Sequence, residues 1–274
     1  MAGDGMSLSF RDAPLVELVA ELRWGPLPVQ WPVPGPAAPP PFIEAMPYLE
    51  QFFMHMGAEV YQHGFRRAER LIPEGFPTLP FTPVYRYRRE SPDNSSVFYQ
   101  VGSGVFAANA LPPYQSWDTF EPHVRIGLQS LLNARANSEK ALPFGQLTLR
   151  YVNLFGPDLT GDRNAWEFLR DVLGFKLELP PVLSGKVAAG SHVKPHIQLS
   201  IPLSDLTLAI SVGEVVTRDG PRYLMDNVVS AENIPPDLEV LMARFQAARS
   251  VIHDVFFKLT APIHTLMSPA GIDP

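Results

Sequence analysis

Ala13-Pro14-Leu15-Val16-Glu17-Leu18-Val19-Ala20-Glu21-Leu22-Arg23-Trp24 and Gly145-Gln146-Leu147-Thr148-Leu149-Arg150-Tyr151-Val152-Asn153-Leu154-Phe155 are the two stretches from which the fold is read. In the first, Val16, Leu18, Ala20, Leu22 and Trp24 alternate with Glu17, Val19, Glu21 and Arg23, the period-two pattern of a strand with one buried face. Each stretch runs into a Gly-Pro turn, Gly25-Pro26 and Gly156-Pro157, and a helical pattern follows each turn. The repetition predicts a duplicated α+β unit, residues 1–140 and 141–274, with the two halves forming one compact body.

Working outward, the first half continues with a proline-rich connector from Pro26 to Pro41, whose composition suits extended polyproline geometry and excludes helix or an inner strand. A helix is predicted over Phe42–Phe53, then strands near Phe65–Leu71, Val84–Arg89 and Val97–Asn109, with Asp93-Asn94 in a turn. Trp117 to Arg135 reads as a long amphipathic helix with Val124, Leu128, Leu131 and Leu132 on one face and Ser116 or Asp118 as its cap. The second half repeats the order. Strand 145–155 leads to a short helix from Asn164 to Leu173 that Gly174 ends. Strands are predicted at Phe175–Leu179, Val182–Ala188, Ile197–Leu203, Thr207–Val216 and Arg222–Val229, and a long helix from Pro236-Asp237 to Thr260. Strands joined by short turns, with helices on one face of an antiparallel curved sheet, satisfy the layer rules for an α+β protein. TATA-binding-protein-like and helix-grip folds share that architecture, an analogy that carries no function.

Bulk properties narrow the classes of function. The chain has 274 residues, 46% of them hydrophobic and 18% charged, enough to bury a core without covalent staples. It has no cysteine, which excludes disulfides, thiolate metal sites and cysteine nucleophiles. Met1-Ala2-Gly3-Asp4-Gly5 lacks the basic and apolar regions of a secretory signal, and no apolar run approaches the ~20 residues that span a bilayer. A cytoplasmic protein with no membrane association is expected. The net charge is −6, and each half carries 11 basic and 14 acidic residues, so neither half is a generic polyanion-binding domain.

Ala13-Pro14-Leu15-Val16-Glu17, the segment Val101-Gly102-Ser103-Gly104 … Asn109 … Tyr114-Gln115-Ser116-Trp117, and Leu149-Arg150-Tyr151-Val152-Asn153 together resemble a family of sporadically distributed bacterial proteins of unknown function and about this length. The family pattern has a Pro-Pro-x-x-Glu-Val-like opening, a Gly-centred strand before a Tyr-x-x-Trp helix start, and an Arg-Tyr-x-Asn strand. Here Ala13 stands where proline is common, and Leu18 where valine is. The resemblance spans most of the chain and implies a shared fold without an inherited mechanism. An accessory role in a mobile or defence-related locus would suit the family's patchy distribution.

Tyr85-Arg86-Tyr87-Arg88-Arg89 is the most suggestive polar cluster. On a strand, Tyr85, Tyr87 and Arg89 share one face, while Arg86 and Arg88 share the other. Phe65-Arg66-Arg67-Ala68-Glu69-Arg70 is expected to pair near it, so Arg66, Arg70, Tyr85, Arg86, Tyr87 and Arg88 form a candidate ligand surface, with guanidinium forks for phosphate and rings for stacking. The competing reading pairs these arginines with Glu69, Glu74 or Glu90 on an ordinary exposed sheet face. Glu17, Glu21 and Arg23 lie on one strand face with Arg150 in the equivalent strand, and salt bridging between the halves is expected. Arg23, Arg150, Asp226 and His253 are the residues that a cleft would use. His192 and His196 are four apart, but Pro195 opposes a helix and no nearby carboxylate completes a ligand set, so no metal is expected. His253-Asp254 do not form a dyad, because adjacent helical residues point about 100° apart. Val101-Gly102-Ser103-Gly104-Val105 reads as a bulge or close backbone contact. No cofactor motif and no GxSxG, HExxH or GxxxxGK[ST] pattern is present.

Three classes of function follow. The first is a non-enzymatic binding protein that recognises a protein partner through a concave sheet or the cleft between its halves. The second is a nucleotide- or nucleic-acid-binding accessory protein. The third, ranked last, is an enzyme with a cavity site that lacks sequence motifs. A homodimer is the base-rate expectation for assembly.

Overall fold

The computed structural model describes residues 9–10, 12–25, 46–76, 78–89, 96–112 and 116–270. The proline connector, Phe42–Ala45, the Asp93-Asn94 turn and Tyr114-Gln115 lie outside the described residues. The elements run β1 (Ser9–Phe10), β2 (Leu15–Arg23), α1 (Met46–Tyr61), β3 (Arg67–Arg70), β4 (Pro83–Arg88), β5 (Val97–Gly102), β6 (Val105–Ala110), α2 (Trp117–Ala134) and β7 (Phe144–Phe155), then β8 (His196–Pro202), β9 (Thr207–Thr217), β10 (Gly220–Ile234), α3 (Leu238–Leu259) and β11 (Pro269–Ala270). Short helical turns occupy the region between β7 and β8, and a 3₁₀ stretch, Ala261–Met267, follows α3.

Nine strands form one antiparallel sheet in the order β3-β4-β5-β6-β2-β7-β10-β9-β8, while β1 and β11 pair separately. The strand order is alike in the two halves. The first strand of each half, β2 or β7, lies at the centre, pairs with the last strand of its own half, β6 or β10, and the earlier strands follow outward. The seam is symmetric as well. Aligning Gly25-Pro26 with Gly156-Pro157 makes Val19 equivalent to Arg150, and these two residues face each other across the β2–β7 ladder. The flanking pairs Glu21↔Thr148 and Glu17↔Val152 exchange under the same operation.

All three long helices cover one side. On β2, Leu18, Ala20 and Leu22 are buried toward the helices, and Leu147, Leu149 and Phe155 of β7 and Met225 and Val229 of β10 continue that layer. Tyr87 Oη donates to the Phe53 carbonyl of α1 (2.7 Å), and Tyr99 Oη donates to the His123 carbonyl of α2 (2.6 Å). Phe256 of α3 stacks on Phe155. Burial of this alternating apolar face is the main stabilisation of such a layer. The helix ends follow local chemistry. Ser116 and Thr119 form a reciprocal capping box, and Asp237 accepts from the Glu239 and Val240 amides. No helix among the described residues is long and apolar enough to cross a membrane.

Two readings of the sequence are corrected. Val97–Asn109 is not one strand but the β5–β6 hairpin, turned at Ser103-Gly104, where Gly104 has φ +70°. Gly102 is nevertheless a close backbone contact, since a Cβ there would lie 1.9 Å from the Thr82 carbonyl oxygen. Phe175–Leu179 and Val182–Ala188 are not strands. Pro180-Pro181 removes two donors from the segment, which adopts a short exposed helical turn, Pro181–Ser184.

Candidate functional site: the helix-free face of the sheet

Strand alternation sends every second side chain to the side without helices. The ladder registers align these side chains in rows. One row crosses all nine strands: Arg67, Arg88, Phe98, Asn109, Val19, Arg150, Val228, Ala209 and Ser200. The neighbouring row carries Glu69, Arg86, Gln100, Ala107, Glu21 and Thr148.

At the first-half end, Arg86 and Arg88 both lie over the ring of Phe98, at 5.1 and 5.0 Å. A guanidinium over an aromatic face is held by the ring quadrupole. Phe98 is 6% exposed. Arg86 also reaches Glu69 on β3 at 3.5 Å. The Nε atoms of Arg86 and Arg88 are buried and make no hydrogen bond. Arg67 faces Arg88 directly across the β3–β4 ladder.

At the centre, Arg150 makes a forked pair with Asp226: its Nε donates to Oδ1 at 2.9 Å and its Nη2 to Oδ2 at 2.8 Å. The Asp226 bond, with the nearby charges of Glu17 and Glu21, holds the Arg150 pKa above its ordinary value. Arg23 donates to Glu21 of its own strand at 2.7 Å. On this face the ion pairs stay within each half, because Asp226 lies on the strand adjacent to Arg150 and offers both oxygens to the fork, while the ion pair between the halves joins Arg125 of α2 to Glu239 of α3 in the helix layer.

The structure redistributes the sequence candidates. Tyr85 and Tyr87 face the helices, not Arg86 and Arg88. Tyr87 is buried, and Tyr85 packs on Phe53, so neither ring is a stacking platform. Burial and the charges of Tyr85 and Glu50 push the Tyr87 pKa well above its usual value. Arg70 lies on the helix side as well, paired with Glu50 (2.9 Å) and donating to Tyr85 Oη. Arg66 precedes β3 and lies over the Tyr61 ring. The residue of that segment that joins Arg86 and Arg88 is Arg67. Arg23, Arg150 and Asp226 share the helix-free face, whereas His253 is on α3 in the helix layer and ring-stacks with Phe257.

Other groups have chemistry of their own. His196 Nε2 contacts Ser211 Oγ at 2.8 Å on the exposed β8–β9 ladder. Among the described residues no carboxylate bonds the other ring nitrogen, so this pair lacks the orienting partner of a nucleophilic triad. No group of three metal-ligating side chains occurs among the described residues. A pocket of about 280 Å³ between α1 and the end of α2 is lined by Tyr48, His55, Asn133, Arg135 and Lys140. Arg135 is 2% exposed, lies 4.5 Å over Phe144, and donates to the Leu142 carbonyl. Burial lowers its pKa. Burial, then Glu139, pushes Tyr48 up to about 12. These features tie the α2 C-terminus to the core.

No family model, curated protein or solved structure matches the chain.

Proposed function

We propose that this chain is a binding protein that recognises a protein partner through the helix-free face of its sheet. The observation that carries the reading is the Arg86–Arg88 pair seated on Phe98, with Arg67 across the ladder from Arg88, in the same face as Glu17, Glu21 and the Arg150–Asp226 pair. A surface of both signs suits a polypeptide with carboxylates opposite the arginines and a basic group opposite Glu17 and Glu21. A nucleic acid, with one sign of charge throughout, would meet those carboxylates at the centre of the sheet. The half-buried arginines over Phe98 are of the residue type that dominates interface energetics.

The test is photocrosslinking in the native cell, with a benzophenone amino acid at Gln100 on the helix-free face and, as control, at Gln62 beyond α1. The expected result is a discrete protein adduct from position 100 alone. The complex reconstituted from purified components should weaken about tenfold or more with Arg86→Ala and Arg88→Ala together, which is ~1.4 kcal/mol. An RNA or DNA adduct, or an affinity falling with salt at the slope of several phosphate contacts, would replace this reading with nucleic-acid binding. Equal crosslinking from both positions would overturn it.

A further inference from the structure

We propose that two copies of this chain pair antiparallel along β8, continuing the sheet across a twofold axis at Leu199. The argument begins with the contrast between the two edges of the sheet. The β3 edge is four residues long and reads Arg67-Ala68-Glu69-Arg70, short and charged. Charge and brevity are the usual protection of a free edge. The β8 edge is seven residues long, and no Asp, Glu, Lys or Arg occurs from Pro195 to Ser204. Its helix-side residues Leu199 and Ile201 are each 38% exposed, as is Leu203 beyond the strand end. Of the two terminal strands of the sheet among the described residues, β8 is the one without this protection.

The backbone polarity is also suited to self-pairing. The Leu203 amide donates to the Leu206 carbonyl at 2.8 Å, closing the β8–β9 hairpin. Bonding residues alternate in an antiparallel ladder, so Ile201, Leu199 and Ile197 direct their groups inward to Leu208, Ile210 and Val212. Gln198 and Ser200 therefore direct their amides and carbonyls outward, as does His196. A twofold axis at Leu199 places Gln198 opposite Ser200 of the second copy, where they exchange both bonds, and Ser200 opposite Gln198. His196 meets Pro202, which lacks an amide but offers its carbonyl. Leu199 then faces Leu199 as a close non-hydrogen-bonded pair, and Ile197 faces Ile201. Every apolar side chain meets an apolar one, and no charge meets its own copy, the condition an isologous contact must satisfy. Pro195 and Pro202 bound the pairing on each side. Because the axis is perpendicular to the sheet, the helix-free faces of both copies lie on the same side.

Size-exclusion chromatography with light scattering, on the full chain across a hundredfold concentration range, tests the pairing. Wild type should approach twice the chain mass of 30.4 kDa. Leu199→Lys sets two ammonium groups directly opposite one another and should raise the dimer Kd about tenfold or more. Its site is partly exposed, so the monomer should keep a cooperative unfolding transition. Amide exchange supplies a second measurement: Gln198 and Ser200 should be protected in a concentration-dependent way in wild type and exchange freely in Leu199→Lys. A wild type that stays monomeric overturns the proposal. So does a dimer that survives Leu199→Lys, or one in which the Gln198 and Ser200 amides exchange freely.

Discussion

Gly102→Ala tests the account of how the β4–β5–β6 corner is built beneath the arginine cluster. A Cβ on Gly102 would lie 1.9 Å from the Thr82 carbonyl oxygen and 2.7 Å from its carbonyl carbon. Both are backbone atoms, so no rotamer change relieves the clash, and β4 must move outward. That breaks the Pro83↔Gly102 pairing and the irregularity that follows it before Tyr85. Overpacking of this kind costs up to about 3 kcal/mol. The smaller entropy of an unfolded Ala recovers ~0.7 kcal/mol, leaving about 2 kcal/mol of destabilisation. With a urea m-value of about 3 kcal/mol/M for a chain this long, the midpoint should fall by ~0.7 M. Urea titration followed by circular dichroism and tryptophan emission measures it, since Trp24 and Trp117 are both buried. Gly145→Ala is the control: the nearest atom to a Cβ there is the Arg23 carbonyl oxygen at 3.7 Å, an ordinary contact. Its midpoint should move by less than ~0.2 M, because surface substitutions stay within about 0.5 kcal/mol. If Gly102→Ala unfolds at the wild-type midpoint, the close approach of β4 to β5 is wrong.

Other consequences are as direct. Asn227 is fully buried in β10, and neither polar side-chain atom has a hydrogen-bond partner; Asn227→Val should raise stability by about 1–2 kcal/mol in the same titration, and a lower midpoint would show that the amide has a partner. His123 is pushed below its ordinary pKa near 6.5, first by burial and then by Arg89. The unfolded chain therefore binds a proton that the folded chain refuses. The stability tied to neutral His123 is complete above pH 6.5 and declines as the pH falls toward the lower folded value, and His123→Gln should flatten that part of a pH series. Ser116→Ala removes the α2 capping box and should cost about 1 kcal/mol; no change in thermal midpoint would argue against the cap.

Much of the scaffold is legible in the sequence because its signals are periodic. The alternation in Leu15–Arg23, the cap at Ser116 and the helix start near Asp237 are local, and the structure keeps them. The division of Tyr85 and Tyr87 from Arg86 and Arg88 is also local. Which of these two faces meets the helices is not, because it depends on α1 arriving from a distant part of the chain with Phe53 against Tyr85. That Arg67 and not Arg66 joins the cluster is not legible, because the phase of a four-residue strand is set by its ladder with β4, not by its own composition. The place of Phe98 is hidden for a related reason: in Val97-Phe98-Tyr99-Gln100-Val101 four of five residues are apolar, so no period shows which of them turns away from the core. The strands expected across residues 175–188 do not form because Pro180-Pro181 offers no amide to a ladder there.

The matching strand order of the two halves supplies an internal control for the proposed surface. Extending the seam operation outward through the ladders makes Tyr99 equivalent to Ile210, Val101 to Val212, Val97 to Leu208, Leu18 to Leu149 and Trp24 to Phe155. All ten residues are buried and apolar, so at these helix-side positions the two halves pack alike. On the other side the same operation makes Arg86 equivalent to Gln198, Arg88 to Ser200, Phe98 to Ala209, Val19 to Arg150 and Ala107 to Asp226. The second half shows that small neutral side chains suffice to maintain this architecture at the positions where the first half places two arginines and a phenylalanine. Those arginines carry a cost, because each buries an Nε without a partner. Folding does not require the cost, and a partner that supplies acceptors to the cluster would offset it. Substituting the second-half residues into the first, Arg86→Gln, Arg88→Ser and Phe98→Ala together, should therefore abolish partner binding while leaving the cooperative unfolding transition in place. If the transition is lost instead, the cluster belongs to the scaffold and the face is not the binding surface.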